Sequence, residues 1–185
     1  EIRAAGGEAV ACTESVATPA GGQAIVDAAM DNYGRIDILI HNAGTVRGAS
    51  LKEMTQEDFD TVLDVHLRGA FHVVRPAFPI MCKAGYGRIV LTGSINGLYG
   101  NCNVVHYSVA KAGLIGLSNV AALEGAEHGV KSNIILPAAV TNTPASPRPH
   151  AIGAAVRAGD LFLQSAAADR AASHKSRDQC PRRQN

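Results

Sequence analysis

Between Glu8 and Ile135 short apolar runs alternate with longer stretches that repeat at helical period, the rhythm of β-α-β units wound around a parallel sheet. The runs Ala9–Cys12, Ile36–Ile40, Arg88–Thr92 and Ser132–Leu136 are each four or five residues long. Most are rich in Val, Ile or Leu, as strands buried on both faces are. Between them the spacing predicts helices over Gly21–Tyr33, Gln56–Ala84 and Val105–His128. In the second helix Thr55 and Asp58 make a capping-box-like start, and Phe59, Val62, Leu63, Leu67 and Phe71 form a stripe expected to be buried. Pro76 and Pro79 are expected to kink that helix or mark its early end. Gly85 and Gly87 then turn the chain into the next strand.

After Pro144 the character changes. Thr143–Arg148 interleaves Pro, Ser and Arg, and Ser165–Asn185 alternates small residues with basic and polar ones. Nothing in that region reads as a further strand, and Asp160–Ala168 is expected to form a short helix. The chain therefore divides into an α/β domain over residues 1–144 and a divergent tail over residues 145–185, expected to be largely disordered.

Charge and cysteine usage exclude several classes. A formal net charge of +1 provides no field that would attract nucleic acid. Cys12, Cys82, Cys102 and Cys180 are scattered without a C-x-x-C pair or a His at ligand spacing, so neither a metal site nor a disulfide framework is expected. They read as reduced thiols of a cytoplasmic protein. No apolar run approaches the roughly 20 residues that cross a bilayer, and no cleavable leader is recognisable, so a soluble chain is expected.

The chemistry lies in Ser94, Tyr107 and Lys111. Tyr107 and Lys111 are four residues apart and share a helix face. Ser94 follows the strand Arg88–Thr92, and ligands of an open parallel sheet sit at the carboxyl ends of its strands. The trio suits hydride transfer coupled to proton transfer at an alcohol carbon. A free phenol, with a pKa of about 10, is a poor base at neutral pH, and making it one takes about 4 kcal/mol of selective phenolate stabilisation. A cation about 4 Å away at an effective dielectric of about 20 supplies about that much. Ser94 would hold the substrate oxygen against Tyr107. Tyr-x-x-x-Lys alone is common by chance. An acyl-transfer reading built on Ser94 and His106 lacks the Gly-x-Ser-x-Gly elbow such a nucleophile needs.

In the string Tyr107-Ser-Val-Ala-Lys111, preceded by Ser94 at thirteen residues, the chain resembles the short-chain dehydrogenases/reductases. His41-Asn42-Ala43-Gly44 is similar to that family's Asn-Asn-Ala-Gly, with His41 in place of the first Asn. The likeness continues through Asp64-Val-His-Leu-Arg-Gly-Ala-Phe71, Tyr86-Gly-Arg-Ile89 and Gly97-Leu-Tyr-Gly-Asn101. Those last strings look most like the 3-hydroxyacyl-CoA dehydrogenase domains of multifunctional β-oxidation enzymes, also described as 17β-hydroxysteroid dehydrogenase type 4. It is nearly continuous from Gly6 to about Pro137.

The resemblance implies an incomplete Rossmann-like, doubly wound parallel sheet lacking its first two strands and its last. It implies NAD or NADP as cofactor and a secondary alcohol or ketone as substrate, of hydroxyacyl-CoA or hydroxysteroid type. Tyr107 becomes the general acid/base, Lys111 its electrostatic partner and a ligand of the nicotinamide ribose, and Ser94 the substrate-orienting group. His66 stands where many members have an Asn that holds a water beside the Lys, a task a His can also perform or exchange for plain helix packing. Asn42, Ala43 and Gly44 fall on the cofactor side of the cleft, or serve only as turn and loop ties. Glu14 and Val16 fall at the adenine pocket, where the family usually has Asp rather than Glu14. Pro137 and Val140 fall in the stretch that faces the nicotinamide, with Thr141 or Thr143 as the carboxamide ligand.

The family's glycine-rich phosphate loop has no counterpart here, and the strands expected between Ala9–Cys12 and Ile36–Ile40 are missing with it. The chain alone is therefore expected to be impaired as an enzyme. A remnant or interaction module that oligomerises through the two long helices without catalysis is the alternative.

Overall fold

The computed structural model describes residues 1–137 and the strand pairing of residues 162–163. Its centre is a sheet in the order β1-β2-β3-β4, with β1 at Ile38–His41, β2 at Gly87–Thr92, β3 at Val130–Ile135 and β4 at Phe162–Leu163. The first three are parallel, in a register that places Ile40 beside Val90 and Val90 beside Asn133. The two-residue β4 pairs antiparallel with the end of β3, Ile135 with Phe162 and Ile134 with Leu163. The helix expected over Asp160–Ala168 is corrected at that point, because Phe162 and Leu163 take their backbone partners from β3. The rest of the expected tail lies outside the described residues.

Among the described residues five α-helices connect and cover the sheet: α1 (Pro19–Tyr33), α2 (Gln56–Leu63), α3 (Gly69–Ala84), the single turn α4 (Asn96–Tyr99) and α5 (Val105–Gly125). Two of the starts are capped by a threonine side chain. Thr18 accepts from the Gly21 N–H ahead of a Pro at the first turn of α1, and Thr55 accepts from the Asp58 N–H at 3.0 Å to open α2. Gly34 and Gly85 end α1 and α3 in the left-handed region, where a side chain would be strained. Leu39, Ile89, Leu91, Val130 and Ile134 point from the sheet into a core shared with Val73, Val74, Ala77 and Met81 of α3 and Leu114 and Ala121 of α5. Alternate residues on the other face are more open, with Ile38 61% and Ile40 64% exposed on β1.

Ala9–Cys12, expected as a strand, runs without a ladder, and Val10 is exposed. A strand is held by its neighbour, and among the described residues none lies beside this segment. The long second helix is not continuous α-helix, because Asp64–Arg68 forms a π turn between α2 and α3. That turn breaks the register carried over from Phe59 to Leu67, so Phe71 is 49% exposed rather than buried, and Ala70, Val73 and Val74 take the inward face. Pro76 and Pro79 do not end the helix, which runs on to Ala84. The His72 carbonyl, which Pro76 cannot bond, abuts Gly22 of α1, where a Cβ would lie 2.5 Å from that oxygen. Glycine at position 22 is what lets α1 approach α3 so closely.

Candidate active site

The site is assembled at the carboxyl ends of β1 and β2 by the π turn and the first turns of α5. Gly113 brings α5 against the π turn, since a Cβ there would sit 2.8 Å from Leu67 Cδ2. Gly97 brings α4 onto α5, with the Lys111 carbonyl carbon 2.7 Å from where its Cβ would be. These two close approaches leave the Tyr107–Lys111 face of α5 flanked by α4 and by His66.

Lys111 is buried, and its Nζ donates to the Thr92 carbonyl at 2.5 Å and lies 5.5 Å from the centre of the Tyr107 ring. Burial, with no carboxylate partner among the described residues, pushes its pKa down to about 8. One of its three N–H groups is used on Thr92, which leaves two for a ligand. Tyr107 is half-buried, one turn back along the same helix. Its backbone N–H, which has no intrahelical acceptor in the first turn, donates to His106 Nδ1 at 2.7 Å. The fully buried His106 ring then carries its proton on Nε2, which has no partner among the described residues.

His66 sits in the π turn with its ring edge-on to Tyr107, centroids 5.2 Å apart at 87°. Its Nε2 is 3.0 Å from the Thr45 N–H and 2.8 Å from the Thr45 carbonyl, so a neutral ring satisfies one of the two at a time. Its Nδ1 is buried and unpartnered among the described residues. The ring lies over Gly44, where a Cβ would be 2.6 Å from His66 Cε1. Burial lowers the pKa of His66, assisted by the nearby Lys111, while the Thr45 carbonyl acts in the opposite sense.

Of the residues singled out in the sequence, Tyr107, Lys111, His66 and the Asn42-Ala43-Gly44 loop are brought to one place. Ser94 follows β2 as expected. Its Oγ accepts from the Asn96 N–H at 3.2 Å, opening α4, with its own O–H left free to donate. Val16 is drawn to α3. Its side chain is tight against Gly69, a Cβ there falling 2.9 Å from Val16 Cγ2, and its carbonyl accepts from His72 Nδ1 at 3.0 Å. Glu14 is exposed nearby and Pro137 is exposed after β3. Val140, Thr141 and Thr143 lie outside the described residues.

Two site residues escaped sequence reasoning. The sequence suggests His106 only as a partner for a nucleophilic Ser94, although a His immediately before the Tyr at a helix start is well placed to cap that turn. His41 was noted only as a substitution, yet it is buried with its Nε2 3.2 Å from the His66 carbonyl. Among the described residues no three His, Cys, Asp or Glu side chains converge as a metal site, and no helix is long and apolar enough to cross a membrane.

Comparison with known proteins places this geometry. Residues 1–150 match the model of the short chain dehydrogenase family. A peroxisomal multifunctional enzyme type 2 of Drosophila melanogaster is 48% identical over 141 residues, covering 76% of this chain and 23% of that protein. A peroxisomal hydratase-dehydrogenase-epimerase of Saccharomyces cerevisiae is 44% identical over 139 residues, 75% of this chain and 15% of that one. The crystal structure of a short chain dehydrogenase from Mycobacterium avium superposes with a TM-score of 0.70 at 40% identity, covering 73% of this chain and 49% of the other. The chain thus spans half or less of the length of these relatives.

Proposed function

The chain belongs to the short-chain dehydrogenase family, and on that premise we propose that it carries the catalytic part of an NAD- or NADP-dependent oxidoreductase that interconverts a secondary alcohol and a ketone. The relatives' names, multifunctional enzyme and hydratase-dehydrogenase-epimerase, support a 3-hydroxyacyl-CoA substrate, with a hydroxysteroid-like alcohol as the second class. The observation that carries the reading is the buried Lys111 beside Tyr107, with no carboxylate partner among the described residues. A buried ammonium without a counter-ion is costly, and a phenolate forming beside it would supply one.

The residues present fit the nicotinamide-ribose half of such a cofactor, because Lys111 has two unused N–H donors and Asn42, Ala43 and Gly44 line the end of β1 beside it. When bound, the cofactor supplies the hydride acceptor or donor. Tyr107 takes the hydroxyl proton during oxidation and returns it during reduction. Lys111 stabilises the phenolate in between, and Ser94 orients the substrate oxygen with its free O–H. We assign His66 to the wall that fixes the Tyr107 ring, with its open Nδ1 available to a water. Glu14 and Val16 would serve the adenine end, and Pro137 and Val140 the nicotinamide carboxamide end.

The chain alone is impaired for want of a phosphate loop, so hydride transfer between NAD or NADP and a 3-hydroxyacyl-CoA, measured on the complete protein that carries it, tests the proposal. Tyr107→Phe is expected to remove activity and leave folding unchanged. Unchanged turnover in that variant refutes the reading. The second reading, an oligomerising module without catalysis, is favoured by the apolar stripe Val109, Val120 and Leu123 exposed along α5 together with Phe71 on α3. A stable oligomer by size-exclusion chromatography with no calorimetric response to either cofactor would select it. Cys12, Cys82 and Cys102 are free, which suits a reducing compartment. The cytoplasm fits this, and the relatives' names raise the peroxisome as the competing location, which imaging of the tagged protein decides.

A further inference from the structure

We propose that His41 is a positioning residue of this site, holding the π turn in register so that the His66 ring stays against Tyr107 and the Gly44 loop; the proposal rests on Tyr107 being the reacting acid/base.

His41 ends β1 with its side chain on the buried face, and its Nε2 is 3.2 Å from the His66 carbonyl. A carbonyl oxygen only accepts, so the bond requires the hydrogen on Nε2 and leaves Nδ1 bare. The acceptor lies within the π turn, where bonding stretches from the i→i+4 to the i→i+5 pattern, a single wide turn within an otherwise α-helical run. Such a turn competes with ordinary α-helix. Relaxing it by one residue would swing side chains in the turn by about 100° around the axis. The lateral donor from β1 ties the His66 main chain to the sheet and opposes that relaxation.

The consequence is local because His66 has three other engagements. Its Nε2 meets Thr45, its Cε1 closes over Gly44, and its ring edge meets Tyr107. One displacement would therefore move the loop after β1 and the wall behind the phenol together. Ionisation does not undo the tie in the neutral range. Burial lowers the pKa of His41 to about 4, and the groups facing it, Lys111 from α5 and His66 from the π turn, both disfavour a further positive charge.

The test compares the 185-residue chain with His41→Gln, whose terminal amide N–H reaches the same carbonyl, and His41→Met, of similar length without a donor. Long-range 1H–15N ring spectra at pH 7 are expected to show His41 as the Nε2–H tautomer in the native chain. The His66 and Tyr107 ring signals should stay in place in the Gln variant and move in the Met variant. In hydride transfer, the Met variant is expected to lose about ten- to a hundredfold in kcat with little change in KM, as a misplacement of about 1 Å does, and the Gln variant to recover most of it. A native His41 found as the Nδ1–H tautomer overturns the proposal without any variant. So do His66 and Tyr107 signals that are the same in the Gln and Met variants. Because the spectra need no turnover, the positioning of His66 stays decidable in a 185-residue chain impaired in hydride transfer, whereas unchanged turnover in Tyr107→Phe counts against the proposed function alone.

Discussion

The Lys111 ammonium crosses from α5 to the last residue of β2 and donates to the Thr92 carbonyl at 2.5 Å. Among the described residues the lysine is held at the carboxyl end of β2 by one neutral acceptor. Burial lowers its pKa to about 8, from an ordinary 10.5. A group that binds its proton less tightly when folded makes stability rise with pH wherever the unfolded chain is the more protonated. Stability should therefore rise as pH climbs from about 8 to 10.5, and the full penalty applies below about 8. Its linkage equivalent is about 3 kcal/mol at most. Lys111→Met removes the penalty at the cost of about 1 kcal/mol for the orphaned Thr92 carbonyl, so the variant should be more stable by about 1–2 kcal/mol at pH 7. Urea unfolding at pH 7 and pH 10 checks this, and the advantage should shrink at the higher pH.

Gly44→Ala tests the fit of the loop after β1. The new methyl would fall 2.6 Å from His66 Cε1, and the ring has little room to retreat because Nε2 is engaged with Thr45. Overpacking of this kind costs about 1–3 kcal/mol. Thermal unfolding should show that loss, and adding His66→Ala should recover part of it, since the two changes share one contact. Equal losses in the presence and absence of the His66 ring would exclude the clash as the cause.

Acid sensitivity should follow from His41. Its pKa is lowered to about 4 by burial, from an ordinary 6.5. Below about 6.5 the unfolded chain takes up the proton and the folded one does not, so stability present above that pH is lost progressively down to about 4. His66 and His106 are shifted in the same direction by burial and add to the effect. Denaturant midpoints between pH 7 and pH 4 should fall less steeply in His41→Gln than in the native chain.

The order of elements and the Tyr107–Lys111 pair were legible because period and spacing are local properties of a sequence. The limits of β1, β2 and β3 fall within two residues of the apolar runs, and Thr55 caps α2 as its pattern required. The π turn was not legible. Its residues, Asp64 to Arg68, read as ordinary helix, and what distinguishes them is a donor from His41, distant in sequence, and the packing of Gly113 on Leu67. Ala9–Cys12 failed for the opposite reason. It has a strand's local composition, and composition cannot supply the neighbouring backbone that a strand needs. Phe71 was placed inward by a stripe that assumed one uninterrupted helix.

The join between α5 and β3 gives a last measurable consequence. Ser118 and Ser132 are both buried, and their hydroxyls are 2.9 Å apart, one donating to the other. Ser118→Ala leaves the Ser132 hydroxyl buried without that partner, which should cost about 1–2 kcal/mol. Removing both hydroxyls leaves two small apolar methyls in the same space, so the double variant should lose less than the two single losses combined. A double-mutant cycle by urea unfolding reads the coupling directly. Strict additivity would mean that each hydroxyl finds a water instead, and that α5 is held to β3 by apolar packing such as that of Leu114, Ala121 and Ile134.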